Sequence, residues 1–198
     1  RYIQMTCFTE NEDYRKHYQD FIENIQPQIA PVSDKLNKKA ADSPLLDALS
    51  KIQGYDIMIR SLRKEIEIFR EENVPLYTEI NIETQKYAQL NGAMMVEMEG
   101  KELTLQQAAV FLMSTDRTKR EEAYQKITER RLKDKDVLDE LFSKLINLRH
   151  RVAINAGFGN FRDYMFKSLG RFDYTPKDCF DFHDAIAHEV VPILNEFS

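Results

Sequence analysis

Apolar residues recur three and four positions apart in several long stretches of the chain, which is the spacing of one face of an α-helix. The clearest stretch runs from about Lys135 to Ala156, and its apolar positions are Leu138, Leu141, Phe142, Leu145, Leu148 and Val152. At ~1.5 Å per residue such a helix would be more than about 30 Å long. The same spacing occurs from Thr175 onward at Phe182, Ile186, Val190, Ile193 and Phe197, and earlier at Ile59, Leu62, Ile66 and Phe69. The pattern predicts an almost entirely helical fold.

One short stretch departs from helical spacing. Within residues 93–103, Met94, Val96 and Met98 occupy every second position, as in a β-strand with one buried face. Residues 99–100 (Glu-Gly) then supply a tight turn of the kind that joins two antiparallel strands. We therefore predict an all-α fold class with one short β-hairpin near 93–103.

Helix starts are marked by residues that can cap free backbone N–H groups. Two threonines stand three positions before an acid or amide, the spacing of a capping box, and two hydroxyl residues precede proline. These pairs are Thr9 with Glu12, Thr104 with Gln107, Ser43 with Pro44, and Thr175 with Pro176. No repeat and no low-complexity linker divides the chain. We therefore expect residues 1–198 to form a single helical lobe without an internal domain boundary.

Composition and charge narrow the classes of partner. The 198 residues are 42% hydrophobic and 31% charged, with a net charge of -5 and no basic stripe, which argues against nucleic acid as a partner. No apolar run approaches the ~18 residues that span a bilayer, so we expect no membrane partner. Cys7 and Cys179 lie far apart, which favours free thiols in a reducing compartment, and we expect a cytoplasmic location. The first residue is Arg, and we expect a cropped chain.

The strongest candidate for metal chemistry is His188-Glu189, which matches the start of a zinc-binding H-E-x-x-H helix. The position of the second His is Pro192, which cannot ligate a metal. Cys179 and His183 have one-turn spacing, but they lack the further ligands that structural zinc requires. No nucleophile elbow and no phosphate-binding loop is present. We therefore assign no catalytic and no metal-binding residue to this chain.

Several segments nevertheless resemble the oligoendopeptidase F branch of the thimet-oligopeptidase-like zinc metallopeptidases. The resemblance runs in order along nearly the whole chain and is densest from about Glu72 onward. Its segments are 5–7 (MTC), 29–31 (IAP), 95–104 (MVEMEGKELT), 116–123 (DRTKREEA), 149–164 (RHRVAINAGFGNFRDY), 170–176 (GRFDYTP) and 190–192 (VVP).

This resemblance implies a mainly helical clamshell with a deep channel that admits short, unfolded peptides. It also implies a parent enzyme that depends on zinc, held by an H-E-x-x-H helix and a later Glu in a region that this sequence does not contain. The chain would then be a non-catalytic lobe that forms part of the channel wall, with no zinc bound to it and no activity alone. Within its most recognisable motif, Arg171, Asp173 and Tyr174 are candidates to contact peptide or the opposite lobe.

Three alternatives stay open from the residues alone. Arg171 and Asp173 could pair with each other while Tyr174 packs ahead of the following helix. The whole chain could be a self-contained helical module for protein interaction. It could also bind a metal through Cys179, His183 and acidic residues. The oligomeric state is left open.

Overall fold

The computed structural model describes residues 2–8 and 11–197, and helices account for most of them. The α-helices, numbered α1 to α12, are Tyr2–Cys7, Glu12–Asp20, Gln26–Ala41, Leu46–Leu49, Tyr55–Ile68, Asn73–Gly92, Leu105–Ala109, Arg117–Lys133, Lys135–Asn155, Phe161–Ser168, Pro176–Ala185 and Val191–Glu196. Between α6 and α7, the strands β1 (Met95–Met98) and β2 (Lys101–Thr104) pair in antiparallel fashion. A mainly helical fold with one short hairpin is thus confirmed.

Two of the expected helix caps are confirmed. The hydroxyl of Thr104 accepts from the Gln107 N–H, and the Gln107 side chain accepts from the Thr104 N–H, at 3.2 and 3.0 Å. Thr175 forms the same reciprocal arrangement with Asp178 ahead of Pro176, the first residue of α11. Local hydrogen bonding of this kind depends on neighbours in sequence, which is why it can be predicted without tertiary information.

The expected cap at Ser43-Pro44 is wrong. Helix α4 begins at Leu46, and its cap position is Leu45. Ser43 instead closes a turn, in which its carbonyl accepts from the Leu46 N–H at 3.1 Å and its hydroxyl accepts from the Leu45 N–H at 3.4 Å. A serine side chain can hydrogen-bond to the backbone of a turn as readily as to the start of a helix, and here Ser43 belongs to a turn.

At the start of α2 the expected capping residue, Thr9, lies outside the described residues. The cap position of this helix is Asn11, whose side chain accepts from the N–H groups of Asp13 and Tyr14. Glu12 is the first helical residue.

The chain divides into two compact units. The first unit comprises residues 1–23 and 75–149, and the second comprises residues 24–74 and 150–198. The expectation of a single lobe without an internal boundary stays a prediction. Among the described residues, no helix combines the length and apolarity needed to cross a membrane.

The first unit has a core built on the hairpin. The turn is formed by Glu99 and Gly100, whose φ angles of 52° and 74° are both left-handed, as in the hairpin turn that matches strand twist. This turn places Met98 opposite Lys101 and turns the alternate positions of β1 toward helices α7 and α8. The buried side chains of this core are Met94, Val96, Met98, Leu105, Ala108, Ala123 and Ile127.

The same unit holds a buried carboxylate. Glu83 on α6 is 4% exposed, and one of its oxygens accepts from Lys86 and from Lys144, each at 2.8 Å. Burial alone would raise the pKa of this carboxyl group. The hydrogen bonds from Lys144 and Lys86 outweigh burial, so the pKa of Glu83 lies below its ordinary value of 4.5.

Replacing Glu83 with Gln should therefore make stability less dependent on acid pH. Because the pKa is lowered in the folded state, the carboxylate stabilises the fold fully above its unfolded pKa, and this contribution is lost as pH falls through the folded pKa. We expect Glu83→Gln to lower the free energy of unfolding by about 1–2 kcal/mol at pH 7, since Lys86 can return to water and Lys144 keeps its pair with Glu79. Urea denaturation between pH 7 and 3 should show that the difference in unfolding free energy between the variant and the unaltered chain shrinks below about pH 4.5.

The matched control is Glu79→Gln. Glu79 pairs with the same Lys144 at 2.9 Å, but its side chain is 42% exposed. We expect a smaller change at pH 7. If the loss of unfolding free energy caused by Glu83→Gln stays constant down to pH 3, the assigned role of the carboxylate is contradicted.

The second unit is organised by side chains that reach the ends of neighbouring helices. Helix α5 buries Ile59 and Ile68, and it carries Lys64, which is only 8% exposed. The Lys64 ammonium donates to the carbonyl of Ser168, the last residue of α10, at 2.9 Å. A cation at the carboxyl end of a helix is favourable because the helix dipole is negative there.

The end of α9 is held in a similar way. Asn73 is 2% exposed, and its amide donates to the carbonyl of Val152 at 2.9 Å. Its side-chain oxygen accepts from the amide of Asn155 at 2.8 Å. Gly157, with φ of 88°, then ends the helix, and the Phe158 N–H donates to a carbonyl one turn back at 3.0 Å. This arrangement is a glycine C-cap.

The helical segment from Pro176 to Glu196 is confirmed as helix but is nowhere buried. It consists of α11, a π-helical turn at Ile186–Val190 and α12. Pro192 has no N–H to continue the helical hydrogen bonding, which accounts for the irregular turn just before it. The large apolar side chains of this segment and of Phe197, which follows it, are between 36% and 84% exposed, and they are Phe180, Phe182, Ile186, Val190, Val191, Ile193, Leu194 and Phe197.

Candidate functional site

The candidate residues Arg171, Asp173 and Tyr174 lie in the short connection from α10 to α11 in the second unit. Gly170 allows the chain to leave α10 because it adopts a φ of 68°, which side-chain-bearing residues rarely reach. Its N–H and that of Arg171 donate to carbonyls of the last turn of α10, at 2.9 and 3.3 Å. The connection is thus anchored at one end by this C-cap and at the other by the Thr175 cap of α11.

The structure gives Asp173 a partner from a distant helix. The guanidinium of Arg60 on α5 donates to both carboxylate oxygens of Asp173, at 2.9 and 3.4 Å. The same guanidinium lies 4.4 Å from the centroid of the Phe172 ring, a cation–π arrangement. Arg60 therefore holds two consecutive residues of the connection against α5.

Arg171 and Tyr174 both contact the ring of Phe166 on α10. The Arg171 guanidinium lies 5.3 Å from the ring centroid. The Tyr174 ring meets Phe166 edge-on at 5.3 Å and is 46% exposed. Among the described residues, the ion-pair partner of Asp173 is Arg60 and not Arg171, so the alternative of a local Arg171–Asp173 pair is wrong.

A polar pocket of about 370 Å³ adjoins the Arg60–Asp173 pair. It is lined by Ser50, Asp56, Ile59, Arg60, Arg63, Lys64, Glu67, Lys167 and Phe172. Most of its charges are already paired, because Lys167 contacts Glu67 at 2.8 Å and Lys64 contacts Glu65 at 2.6 Å. Within the described ranges, Arg63 and Asp56 have no ion-pair partner, so one cation and one anion of the pocket are left unpaired.

The described residues do not fit a zinc site. Cys179 and His183 are one turn apart on α11, where His183 contacts the rings of Phe180 and Phe182. His188 uses its Nδ1 in a 2.7 Å hydrogen bond with the carbonyl of Asp184. In residues 2–8 and 11–197, no group of three or more His, Cys, Asp and Glu side chains is arranged to hold a metal ion. Both cysteines are free thiols, as expected.

Sequence reasoning missed Arg60 and Phe172 as parts of the candidate site. Phe172 lies inside the motif that drew attention to its neighbours, but its contact is with a residue that no pattern connects to it. Arg60 is 113 positions from Asp173 along the chain. An exposed arginine on a helix carries no signal in the sequence that would distinguish it from a solvated one.

The fold built from these elements is that of known oligopeptidase structures. A structure described as an oligoendopeptidase F aligns with 95% of this chain at a TM-score of 0.87 and 24% identity. An oligoendopeptidase F from Bacillus anthracis str. Ames aligns with 92% at a TM-score of 0.85 and 22% identity. PZ peptidase A with inhibitor 2 aligns with 93% at a TM-score of 0.84 and 24% identity. At these identities the likeness establishes the fold.

The family signal lies in the second half of the sequence, where residues 110–198 match the model of peptidase family M3. The expected resemblance is confirmed in sequence by this match over residues 110–198, and in fold by the likeness to the oligoendopeptidase F structure. The chain spans about a third of the length of the solved structures, covering 33%, 34% and 33% of them. A comparison with curated protein sequences gives no significant match.

Proposed function

We propose that this chain is the non-catalytic lobe of a longer zinc-dependent metallo-oligopeptidase that hydrolyses short peptides. The observation that carries the proposal is the asymmetry of the structural match. The similarity covers 95% of this chain but 33% of the related structure, so nearly all of this fold corresponds to one part of a larger one. The match of residues 110–198 to peptidase family M3 supports a peptidase as the parent.

In the proposed parent, the zinc ligands lie outside this chain. Neither Cys179 with His183 nor Asp184 with His188 offers the three protein ligands of a catalytic zinc site. The contribution of this lobe is then to the wall of a channel that admits short, unfolded peptides. We expect the 198-residue chain to be inactive by itself, and its free cysteines support a cytoplasmic location.

The exposed apolar residues of α11 and α12 support a lobe over a self-contained interaction module. Phe182 and Phe197 are 64% and 84% exposed, and no described residue between Pro176 and Phe197 is buried. A contiguous apolar surface of this kind marks a site of contact with another protein surface. The remaining part of the parent is the surface that we propose to cover it.

The coding region of the parent tests the proposal directly. We expect an H-E-x-x-H motif followed by a Glu on a later helix, in a segment beyond these 198 residues. The full-length protein loaded with zinc should cleave short peptides, and the 198-residue chain should not. A coding region without that motif would overturn the proposal.

Within the lobe, we propose that Arg171, Asp173 and Tyr174 face the peptide channel. Replacing Asp173 with Asn in the parent should then raise the KM for short peptides severalfold and leave kcat nearly unchanged, because binding and not chemistry is affected. The change in stability should stay below about 1 kcal/mol. The reason is exposure, since the side chains of Arg60 and Asp173 are 42% and 77% exposed.

The matched control is Asp181→Asn. Asp181 forms a comparable exposed pair with Lys177 at 2.6 Å, on α11 and away from the connection. We expect it to alter neither KM nor kcat. Equal KM values for Asp173→Asn and the control would refute a channel role for Asp173.

A further inference from the structure

A second cavity, a groove of about 440 Å³, lies within the first unit between α6 and α9. Its lining residues are Thr84, Tyr87, Leu138, Asp139, Leu141, Phe142, Leu145 and Arg149. Leu141 and Leu145 are 9% and 6% exposed and form a buried apolar base. The rings of Tyr87 and Phe142 are 51% and 60% exposed, so a ligand in the groove would cover aromatic surface.

Arg149 is the unusual residue of this groove. Its side chain is half-buried, and within the described part of the chain it has no ion pair and no hydrogen bond. A guanidinium that has no protein anion and lies beside an apolar groove is free to pair with an anionic ligand. A carboxylate would satisfy it, because the planar guanidinium binds two carboxylate oxygens at once.

The opposite end of the groove carries the opposite charge. Asp139 is exposed and is bonded to Lys135 at 2.5 Å, on the same helix as Arg149. The two residues are ten positions apart on α9, which corresponds to roughly 15 Å at ~1.5 Å per residue. An extended peptide covers this distance with about four to five residues at ~3.3 Å each.

We propose that this groove binds a short peptide through its free C-terminus, with the terminal carboxylate on Arg149 and apolar side chains against Tyr87, Phe142 and Leu145. The amino end of the peptide lies toward Asp139. Lys135 bonds to Oδ2 of Asp139, so Oδ1 can still accept from the ammonium of a peptide, which a fatty acid lacks. The identification of peptides as the natural ligand rests on the proposed function, whereas binding itself requires no catalytic residue.

The test uses the 198-residue chain and a synthetic pentapeptide of glycine and alanine that ends in phenylalanine and leucine, with both termini free. Isothermal titration calorimetry should show that the C-terminal amide of this peptide binds about tenfold or more weakly, because the charge-assisted bond to Arg149 is lost. N-terminal acetylation should cost only about twofold to threefold, because Asp139 is exposed and already paired. These two comparisons use the unaltered protein and do not depend on the folding of a variant.

The corresponding variant is Arg149→Gln. We expect it to bind the free acid and the amide equally weakly, while Arg149→Lys retains part of the preference for the acid. The control is Arg151→Gln, which changes an exposed arginine of the same helix that does not line the groove. It should bind like the unaltered chain.

Three results would overturn the proposal. Equal affinity for acid and amide would show that Arg149 does not bind a carboxylate. Tighter binding of dodecanoate than of the pentapeptide would assign the groove to a lipid, and a dimer that dissociates in Arg149→Gln would assign it to a second copy of the chain. None of these results depends on an H-E-x-x-H motif in the parent, so this inference and the proposed function can fail separately.

Discussion

Replacing Asn73 with Asp is expected to lower the free energy of unfolding at pH 7 by about 3 kcal/mol or more. Asn73 is 2% exposed, and its amide donates to the carbonyl of Val152 at 2.9 Å. An Asp of the same size would direct a carboxylate oxygen at that carbonyl, and its charge would be placed at a position where the side chain is 2% exposed. Only the hydrogen bond from Asn155 would remain.

The same variant should recover stability in acid. Burial raises the pKa of the introduced carboxyl in the folded state, so the folded state binds a proton more tightly than the unfolded state does. The destabilisation is therefore full above the folded pKa and fades as pH falls toward the unfolded value of about 3.9. Once protonated, the carboxyl can again donate to the Val152 carbonyl.

Urea denaturation of both proteins between pH 7 and 4 measures this effect. Asn147→Asp is the control, since Asn147 is an exposed residue in the middle of α9. We expect it to change stability by less than about 0.5 kcal/mol at any pH in this range. A loss for Asn73→Asp that is small or independent of pH would contradict the hydrogen bonding assigned to Asn73.

The second large effect is expected at Met98 in the hairpin core. Its side chain is 1% exposed and packs in the cluster formed by the hairpin, α7 and α8. Met98→Ala removes buried apolar atoms and leaves a cavity that the hairpin cannot close without breaking its register. We expect the free energy of unfolding to fall by about 2–5 kcal/mol.

The matched control is Met113→Ala, which makes the same chemical change at a side chain that is 86% exposed. It should alter stability by less than about 0.5 kcal/mol. Circular dichroism in urea distinguishes the two variants. A similar small change at both positions would mean that the hairpin does not form the core described for it.

Much of the fold follows from local pattern. The hairpin was predictable because Met94, Val96 and Met98 alternate and because Glu99-Gly100 can adopt two left-handed conformations in succession. Helix α9 was predictable because its apolar residues recur at helical spacing. The helix cap predicted at Ser43-Pro44 is wrong for a reason that is also local, because the residue types that cap helices also close turns.

The candidate site was predictable only in part. The motif around Arg171, Asp173 and Tyr174 is visible in the sequence, but the pairing of Asp173 with Arg60 joins positions 113 residues apart. The groove at Arg149 was not predicted at all. Its apolar residues on α9 are among those that recur at helical spacing. This spacing does not indicate that Phe142 is 60% exposed while Leu145 is 6% exposed.

The sequence by itself determined the helices, the hairpin, two of the caps and the resemblance to oligopeptidases, together with the mismatch to a zinc motif at Pro192. Each of these depends on residues within a few positions of one another or on a segment compared as a whole. Tertiary structure alone decided which apolar residues of each helix are buried and that Arg60 pairs with Asp173. It also decided that Arg149 has no anionic partner among the described residues. The physical reason is that burial and ion pairing depend on distances between residues remote in the chain, and local periodicity carries no information about those distances.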